Sequence, residues 1–251
     1  MSGPPLAGQV VLVTGAGRNL GRATALRAAE LGADVGVLVR SNRDEAEQVQ
    51  AAVEQTGRRA FAVTADVADA DQVERAVAAV TAELGAVTSV LSCAAYRSHA
   101  PTTDLPMAQW RAVLATALDA AFHLTRSTVS PMVERGFGRF VFLGGSVVHT
   151  GLPTGTAAVA TAKAGLSGFV RSFAQEFGRH GITANVVAPA KIGPPGTGAL
   201  GDWDPANSSA LGRNADYAEV VDLCLFLCSP AGAALQGQTI HADGGIYGFG
   251  D

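Results

Sequence analysis

Lysine is rare in this chain, and its position points to possible chemistry. The sequence has sixteen arginines but only two lysines, Lys163 and Lys191. Arginine does not replace lysine where a compact ammonium is required. A lysine with a lowered pKa also serves as an acid, a base or an amine nucleophile. Lys163, in the stretch TGTAAVATAKAGL, is therefore a candidate functional residue, although chance alone could also leave a lysine there.

A glycine-rich turn, TGAGRNLG, is a second candidate site. It follows the apolar run QVVLVTG and opens the helical pattern NLGRATALRAAELGA. Such a turn points backbone N–H groups and the positive helix end at a phosphate, and its glycines allow close approach of the backbone. The turn therefore predicts a dinucleotide pyrophosphate site rather than a plain tight turn. The residues expected to form it are Gly15, Arg18, Asn19, Leu20 and Gly21.

The charge after the second predicted strand favours one nicotinamide dinucleotide over the other. That strand ends in VLVR, and Arg40 stands nineteen residues after Gly21. A carboxylate here would hold the ribose hydroxyl of NAD and repel the 2′-phosphate of NADP, whereas arginine attracts that phosphate. Arg40 and Ser41 therefore favour NADP(H), the alternative being solvated surface residues.

Composition argues against several classes of partner. The net charge is −4 with no block of like charge, which disfavours nucleic acid and anionic membranes. No signal peptide is expected at the N-terminus, and three cysteines do not form a disulfide framework, so a cytoplasmic location is expected. Cys224 and Cys228 should pack on one face of an apolar helix, and no metal site is predicted.

The elements that must position these residues follow an alternating pattern. Short apolar runs predict seven strands: QVVLVTG, ADVGVLVR, RAFAVTAD, VTSVLSCAA, GRFVFLGGS, ITANVVAP and QTIHADGG. Beyond two helices that alternate with the first three strands, helical periods are expected near 69–84, 107–134, 156–179 and 215–228. This order predicts an α/β fold: one Rossmann-like domain over 1–251, with a doubly wound parallel sheet and helices on both faces. The Gly- and Pro-rich stretch 193–214 is a predicted substrate lid.

The motifs taken together resemble the short-chain dehydrogenase/reductases, in particular their 3-oxoacyl-carrier-protein-reductase-like branch. The family loop TG-x-x-x-G-x-G keeps Gly15 and Gly21 here, while Asn19 replaces its middle glycine. Asparagine tolerates a left-handed backbone better than most residues, so the turn can survive. The resemblance implies that Arg18 contacts the same 2′-phosphate as Arg40, which also favours NADP(H). It implies further cofactor contacts by Asp66, Val67, Ala94, Lys163, Pro189 and Ile192.

The family's proton-transfer residues are only partly present. In that family a Ser binds the carbonyl and a Tyr moves the proton. A Lys one helical turn later lowers the pKa of the Tyr and holds the nicotinamide ribose, and an Asn holds a water. Anchoring on GRFVFLGGS aligns the serine with Ser146 and the lysine with Lys163. The tyrosine position is Val159, and the asparagine position is Ala117. Valine has no proton to donate, so the usual chemistry is not expected.

Other side chains are candidates for the missing proton donor. Tyr96 follows SCAA, in a segment that should reach the pocket rim, and His149 lies three residues after Ser146. The pKa of histidine needs little change for the side chain to exchange protons near neutral pH. Ordinary surface roles fit both residues as well.

The favoured interpretation is an atypical oxidoreductase that binds NADP(H) and acts on a small to medium apolar carbonyl, alcohol or imine. Two alternatives remain open: a non-redox enzyme for dehydration, isomerisation or cyclisation, and a non-catalytic subunit that pairs with a Tyr-containing homologue. The resemblance also implies a homotetramer or homodimer formed through the helices over 107–134 and 156–179.

Overall fold

The computed structural model describes residues 3–146, 155–190, 192 and 209–246. The strands are Val10–Thr14 (β1), Asp34–Val39 (β2), Ala60–Thr64 (β3), Ser89–Ser92 (β4), Gly138–Leu143 (β5), Ile182–Pro189 (β6) and Thr239–Ala242 (β7). The α-helices are Asn19–Glu30 (α1), Arg43–Glu54 (α2), Ala70–Leu84 (α3), Met107–Leu114 (α4), Ala120–Arg135 (α5), Ala157–Phe177 (α6) and Tyr217–Cys228 (α7). Two short 3₁₀ turns, Gly178–His180 and Pro230–Gly232, follow α6 and α7.

All seven strands form one parallel sheet in the order β3-β2-β1-β4-β5-β6-β7. The strand order reverses between β1 and β4, so the loops after these two strands diverge and leave a crevice at the carboxyl edge. The predicted seven-stranded α/β fold is confirmed. Every candidate residue at a strand end is thereby brought to the same edge of the sheet.

Helices cover both faces of this sheet, and each central strand is therefore buried along its whole length. On one face, α1, α2 and α7 pack over Val11, Val13 and their neighbours. On the other face, α3, α5 and α6 pack over Val10, Leu12 and the phenylalanines of β5. Cys224 and Cys228 are buried in the first of these layers, as expected for packing residues.

The helix predicted over 107–134 is interrupted where the sequence suggested a continuous period. A π-helical turn, Ala115–Asp119, joins α4 to α5, and the Ala120 N–H bonds to the carbonyl of Ala115, five residues back. The Thr116 hydroxyl donates to the carbonyl of Ala112 at 2.8 Å, which competes with the regular backbone ladder. Such turns widen a helix locally and are frequent at functional sites. This one contains Ala117.

None of the described helices is long and apolar enough to cross a membrane. Within the same residues, no group of three His, Cys, Asp or Glu side chains is arranged to hold a metal ion.

Candidate cofactor and active site

The glycine-rich turn after β1 has a backbone that only small residues allow. Gly15 has φ +65°, and a Cβ there would come within 2.9 Å of the Ala94 backbone at the end of β4. A Cβ on Gly21 would lie 2.2 Å from the Gly15 carbonyl oxygen. Asn19 has φ +48° and is the one non-glycine with positive φ among the residues described. Asparagine therefore fills the position of the family's middle glycine in the left-handed conformation that the sequence predicted.

The N-terminus of α1 leaves its N–H groups without a side-chain cap, as α4 and α6 also do. Arg18 occupies the cap position with no side-chain hydrogen bond, and the first turn contains no acidic residue. By contrast, Asn42 caps α2, Asp69 caps α3, and Asp216 caps α7 together with Glu219. The first N–H groups of α1 therefore remain available for an anion bound at the glycine turn. This geometry fits a pyrophosphate.

Cationic groups flank the adenosine side of this turn. Arg18 and Arg40 are exposed, and in the described structure neither side chain has a hydrogen bond or an ion pair. Ser41 follows Arg40 and is also exposed. Glu45 from α2 occupies the space beside Gly17, where a Cβ would lie 2.9 Å from its Oε2. Two unpaired guanidinium groups at this end suit a phosphate on the ribose.

Asp66 and Val67 follow β3 on the same edge. The Asp66 carboxylate accepts from the Ala68 N–H at 3.0 Å, which fixes the turn after the strand. The Val67 side chain is 4% exposed and packs in the core, while its carbonyl lies 3.2 Å from Nδ1 of His123. The predicted contact of Val67 with adenine would therefore involve little of its side chain.

The remaining strand ends bring the other candidates together. The Ala94 N–H donates to the Thr14 hydroxyl at 3.1 Å, which joins β4 to β1. The Ser146 N–H donates to the Pro189 carbonyl at 3.0 Å, which joins the ends of β5 and β6. Ile192 forms an isolated bridge with Ala215 just beyond β6. Thus Ser146, Ala94, Pro189 and Ile192 lie along the carboxyl ends of adjacent strands.

Lys163 points from α6 to the end of β5, where its Nζ donates to the Leu143 carbonyl. Burial lowers the pKa of the Lys163 ammonium from 10.5 to about 8, and the nearby positive charge of Arg97 contributes in the same direction. Cys93 lies close enough to oppose this slightly. Its own thiol has a pKa raised by burial to about 12 and so stays neutral. Lys163 is therefore a group that can gain or lose a proton near neutral pH.

A small cavity lies next to Lys163, and its lining includes the two residues that the sequence resemblance aligned with the family's tyrosine and asparagine. Val159 and Ala117 line it, as do Tyr96 and Arg97. The other lining residues are Ala95, Val113, Ala162 and Lys163. Val159 is 8% exposed and packs with Val113 and Ala162. The cavity has room for about one water molecule, and its inner wall is mostly hydrocarbon.

The segment after β4 is held in place at two points. The Ser98 hydroxyl donates to Oε1 of Gln109 at 2.6 Å, which ties the segment to α4. The Ala100 N–H donates to the Gly155 carbonyl at 3.2 Å, just before α6 begins. Gly155 has φ +63°, and a Cβ there would come within 2.2 Å of the Ala100 backbone. Tyr96 and Arg97 are thus fixed against the helix that carries Lys163.

Sequence reasoning identified most of these residues but not all of them. Arg97 lies in the segment after SCAA that was expected at the pocket rim, but its influence on Lys163 was not anticipated. The Cys93 thiol was not recognised as a neighbour of Lys163, although its place in SCAA pointed to the strand end. The π turn at Ala117 had no clear sequence signal apart from Thr116. Predictions that concern His149, and the larger part of the lid, 193–208, fall outside the described residues.

Similarity to known proteins agrees with this geometry. A family profile described as enoyl-(acyl carrier protein) reductase matches residues 15–247. The short-chain reductase protein NovJ of Streptomyces niveus is 35% identical over 246 residues, which cover 94% of this chain and 93% of NovJ. The 3-oxoacyl-[acyl-carrier-protein] reductase FabG of Escherichia coli is 34% identical and covers 96% of this chain and 98% of its own. The chain belongs to the short-chain dehydrogenase/reductase family.

Solved structures with the same fold contain both nicotinamide dinucleotides. A blue fluorescent protein from a metagenomic library, in complex with NADPH, has a TM-score of 0.90 at 28% identity, covering 97% of this chain and 100% of that one. An NAD+-bound xylitol dehydrogenase has a TM-score of 0.87 at 27% identity, covering 96% and 99%. The choice between the two dinucleotides therefore depends on this chain's own residues.

Proposed function

We propose that this protein is an oxidoreductase that binds NADP(H) and interconverts a carbonyl or imine with its reduced form, without a tyrosine as proton donor. The observation that carries the proposal is the convergence of two features at one sheet edge. One is the uncapped start of α1 behind Gly15 and Gly21. The other is Lys163, partly buried beside a cavity that Val159 and Ala117 help to line.

The residues present fit NADP(H) at the adenosine end. The turn and the first N–H groups of α1 would hold the pyrophosphate. Arg40 and Arg18, which have no carboxylate partner among the described residues, would bind the 2′-phosphate. Pro189, Ile192 and Lys163 would contact the nicotinamide half, with Lys163 on its ribose. When bound, the nicotinamide supplies or accepts the hydride.

Lys163 is also the residue that we propose donates the proton in reduction and accepts it in oxidation. Its side chain reaches the cavity from one helical turn beyond Val159, and its pKa of about 8 lets it carry a transferable proton near neutrality. In the direction of reduction, the substrate oxygen would take that proton from the ammonium. Because the ammonium is lost as the pH rises through about 8, reduction should slow above that pH and oxidation should speed up.

Tyr96 is the second candidate for the proton, since its side chain lines the same cavity. Ser146 would orient the carbonyl from the end of β5. A conservative pair of variants separates these roles. Lys163→Arg keeps a cation for the ribose but cannot release a proton at these pH values. Tyr96→Phe removes only a hydroxyl.

The test combines binding with turnover. NADPH affinity is measured by fluorescence titration, and turnover by loss of NADPH absorbance with a panel of ketones and imines. We expect NADPH to bind and at least one substrate to be reduced, with Lys163→Arg binding NADPH but reducing at least about 100-fold more slowly. Product that forms equally well without nucleotide would instead support a non-redox reaction. Tight NADPH binding without turnover of any substrate would overturn the proposal.

We also propose that the protein assembles as a homotetramer or homodimer through α5 and α6. Phe122 on α5 is 51% exposed, and α6 exposes the small residues Ala157, Thr161, Ala164 and Gly168 along one side. Replacing Phe122 with Glu should lower the mass measured by light scattering. If wild type is monomeric alone but associates with a co-expressed Tyr-containing homologue, the alternative of a mixed assembly is favoured.

A further inference from the structure

The cavity beside Lys163 has two cationic side chains and no anionic one. Arg97 and Lys163 both line it, and none of its other lining residues is acidic. In the described structure the Arg97 side chain makes no hydrogen bond or ion pair. The Cys93 thiol next to Lys163 stays neutral because burial raises its pKa to about 12, so it does not serve as a counter-ion. The positive charge in this region is therefore uncompensated by the described residues.

The backbone segment that carries Arg97 is held in position, although the Arg97 side chain is exposed. Ser98, the next residue, is bonded to Gln109, and Ala100 is bonded to the backbone of Gly155. The guanidinium also acts electrostatically on Lys163, which requires the two cations to lie near each other. Placing like charges together is unfavourable unless a ligand of opposite charge joins them. A guanidinium binds a carboxylate through two parallel hydrogen bonds, with better geometry than an ammonium offers.

The size of the cavity limits where such an anion would lie. With room for about one water molecule, it accepts a carbonyl oxygen but not a whole substrate. The remainder of the substrate must extend outward, toward Tyr96 and Arg97. A carboxylate bound by Arg97 is therefore separated from the carbonyl by only a few bonds.

We propose that Arg97 is the substrate-recognition residue of this enzyme and that the substrate is a short oxo acid, whose carboxylate Arg97 binds while its ketone oxygen enters the cavity beside Lys163. The reaction in this inference rests on the proposed function, whereas the binding of the carboxylate by Arg97 does not. In reduction, the ketone carbon accepts a hydride from the reduced cofactor and its C–O π pair moves onto oxygen. The oxygen then takes a proton from Lys163. The ketone is reduced to a hydroxy acid, and NADPH is oxidised to NADP+.

The test measures binding separately from turnover. Isothermal titration calorimetry compares 2-oxobutanoate and 3-oxobutanoate with their methyl esters, using protein saturated with NADP+. We expect at least one acid to bind about tenfold or more tightly than its ester, since the ester lacks the charge. In Arg97→Met that preference should vanish while ester affinity stays the same, and Arg97→Lys should keep part of it. Arg111→Met, an exposed arginine on α4, is the matched control and should leave it unchanged.

The outcomes separate this inference from the proposed function. A carboxylate preference that depends on Arg97, without turnover of any acid, supports the recognition role and counts against the redox proposal. Turnover of neutral ketones as efficient as that of the acids would overturn the inference and leave the redox proposal intact. Equal binding of acid and ester, absence of binding by both, or an unchanged preference in Arg97→Met would each overturn it as well.

Discussion

The two ends of the site differ in how closely they keep the family's chemistry. At the adenosine end, after β1 and β2, the turn retains its tight backbone, and Asn19 adopts the left-handed conformation of the glycine it replaces. At the other end, beside α6, Val159 and Ala117 stand where a phenol and an amide would be expected from the resemblance. The first end needs backbone shape, whereas the second needs particular polar side chains.

Under the proposed function, cofactor binding and proton transfer are separable in one fold. Dinucleotide binding depends on N–H groups and close approach, which a few glycines and an uncapped helix provide. Proton transfer depends on a group of suitable pKa near the reacting oxygen. A chain can therefore keep the first and rebuild the second around a lysine, provided that the hydrocarbon around Lys163 holds its pKa low. Four variants test this comparison between the two ends of the site.

The largest effect is expected from Gly21→Val. Its Cβ would meet the Gly15 carbonyl oxygen at 2.2 Å, so the turn must open and the pyrophosphate site would be lost. NADPH affinity should fall by more than about 100-fold, because the variant would lose at least two charge-assisted hydrogen bonds to the pyrophosphate. Fluorescence titration measures this. Gly168→Ala, on α6 with open space around it, should bind NADPH like wild type. Unchanged NADPH binding by Gly21→Val would show that the glycine turn does not bind the cofactor.

Val159→Tyr tests the opposite end by restoring the phenol. We expect ketone reduction to rise by about 100-fold, the usual scale of a positioned general acid. Val159→Phe adds the same ring without the hydroxyl and controls for crowding against Val113 and Ala162, which costs about 1–3 kcal/mol in a packed core. Steady-state rates of both variants are compared at equal folded fraction. Equal rates in the two would mean that the phenol alone does not rebuild the site.

Arg40→Ala distinguishes the two dinucleotides at the adenosine end. Loss of a charge-assisted hydrogen bond to the 2′-phosphate should weaken NADPH about tenfold and leave NADH unchanged, because NADH lacks that phosphate. Titration of both nucleotides with wild type and variant measures the change in preference. Arg43→Ala, in the first turn of α2 and paired with Glu47, serves as the neighbouring control. A parallel loss for both nucleotides would contradict a specific phosphate contact.

The smallest effect is expected from Lys163→Met, measured as thermal stability against pH. Burial lowers the pKa of Lys163 from 10.5 to about 8, so the unfolded state binds more protons between these values. The ammonium therefore destabilises the fold most below about pH 8, and this penalty fades as the pH rises toward 10.5. The variant should melt about 2–4 °C higher at about pH 7, for a net gain of about 1 kcal/mol after losing the bond to Leu143. Its advantage should shrink in alkaline buffer. A constant difference across pH would show that the charge is not the cause.

Much of the fold follows directly from patterns that act over short distances. Buried apolar runs such as VVLVT in β1 predict parallel strands because both sheet faces must be covered. Asn42 and Asp69 cap the first turns of α2 and α3, so the type of residue at these positions helps to set where each helix begins. The one departure, the π turn over Ala115–Asp119, lies in a region whose apolar period is compatible with a regular helix. The bond from the Thr116 hydroxyl to the Ala112 carbonyl accompanies this turn, but threonine also occurs in regular helices, so the sequence alone does not predict it.

Residue patterns alone predict the α/β class, the glycine turn after β1, the basic residues at the adenosine end and the valine four residues before Lys163. These depend on residue type and spacing, which are local properties. Two features depend on the folded chain: Lys163 packs, partly buried, against the end of β5, and Arg97 lines the same cavity from a segment sixty-six residues earlier. Burial and the approach of two charges arise from contacts between distant parts of the chain. Those contacts set the pKa of Lys163 and leave an uncompensated positive charge around its cavity.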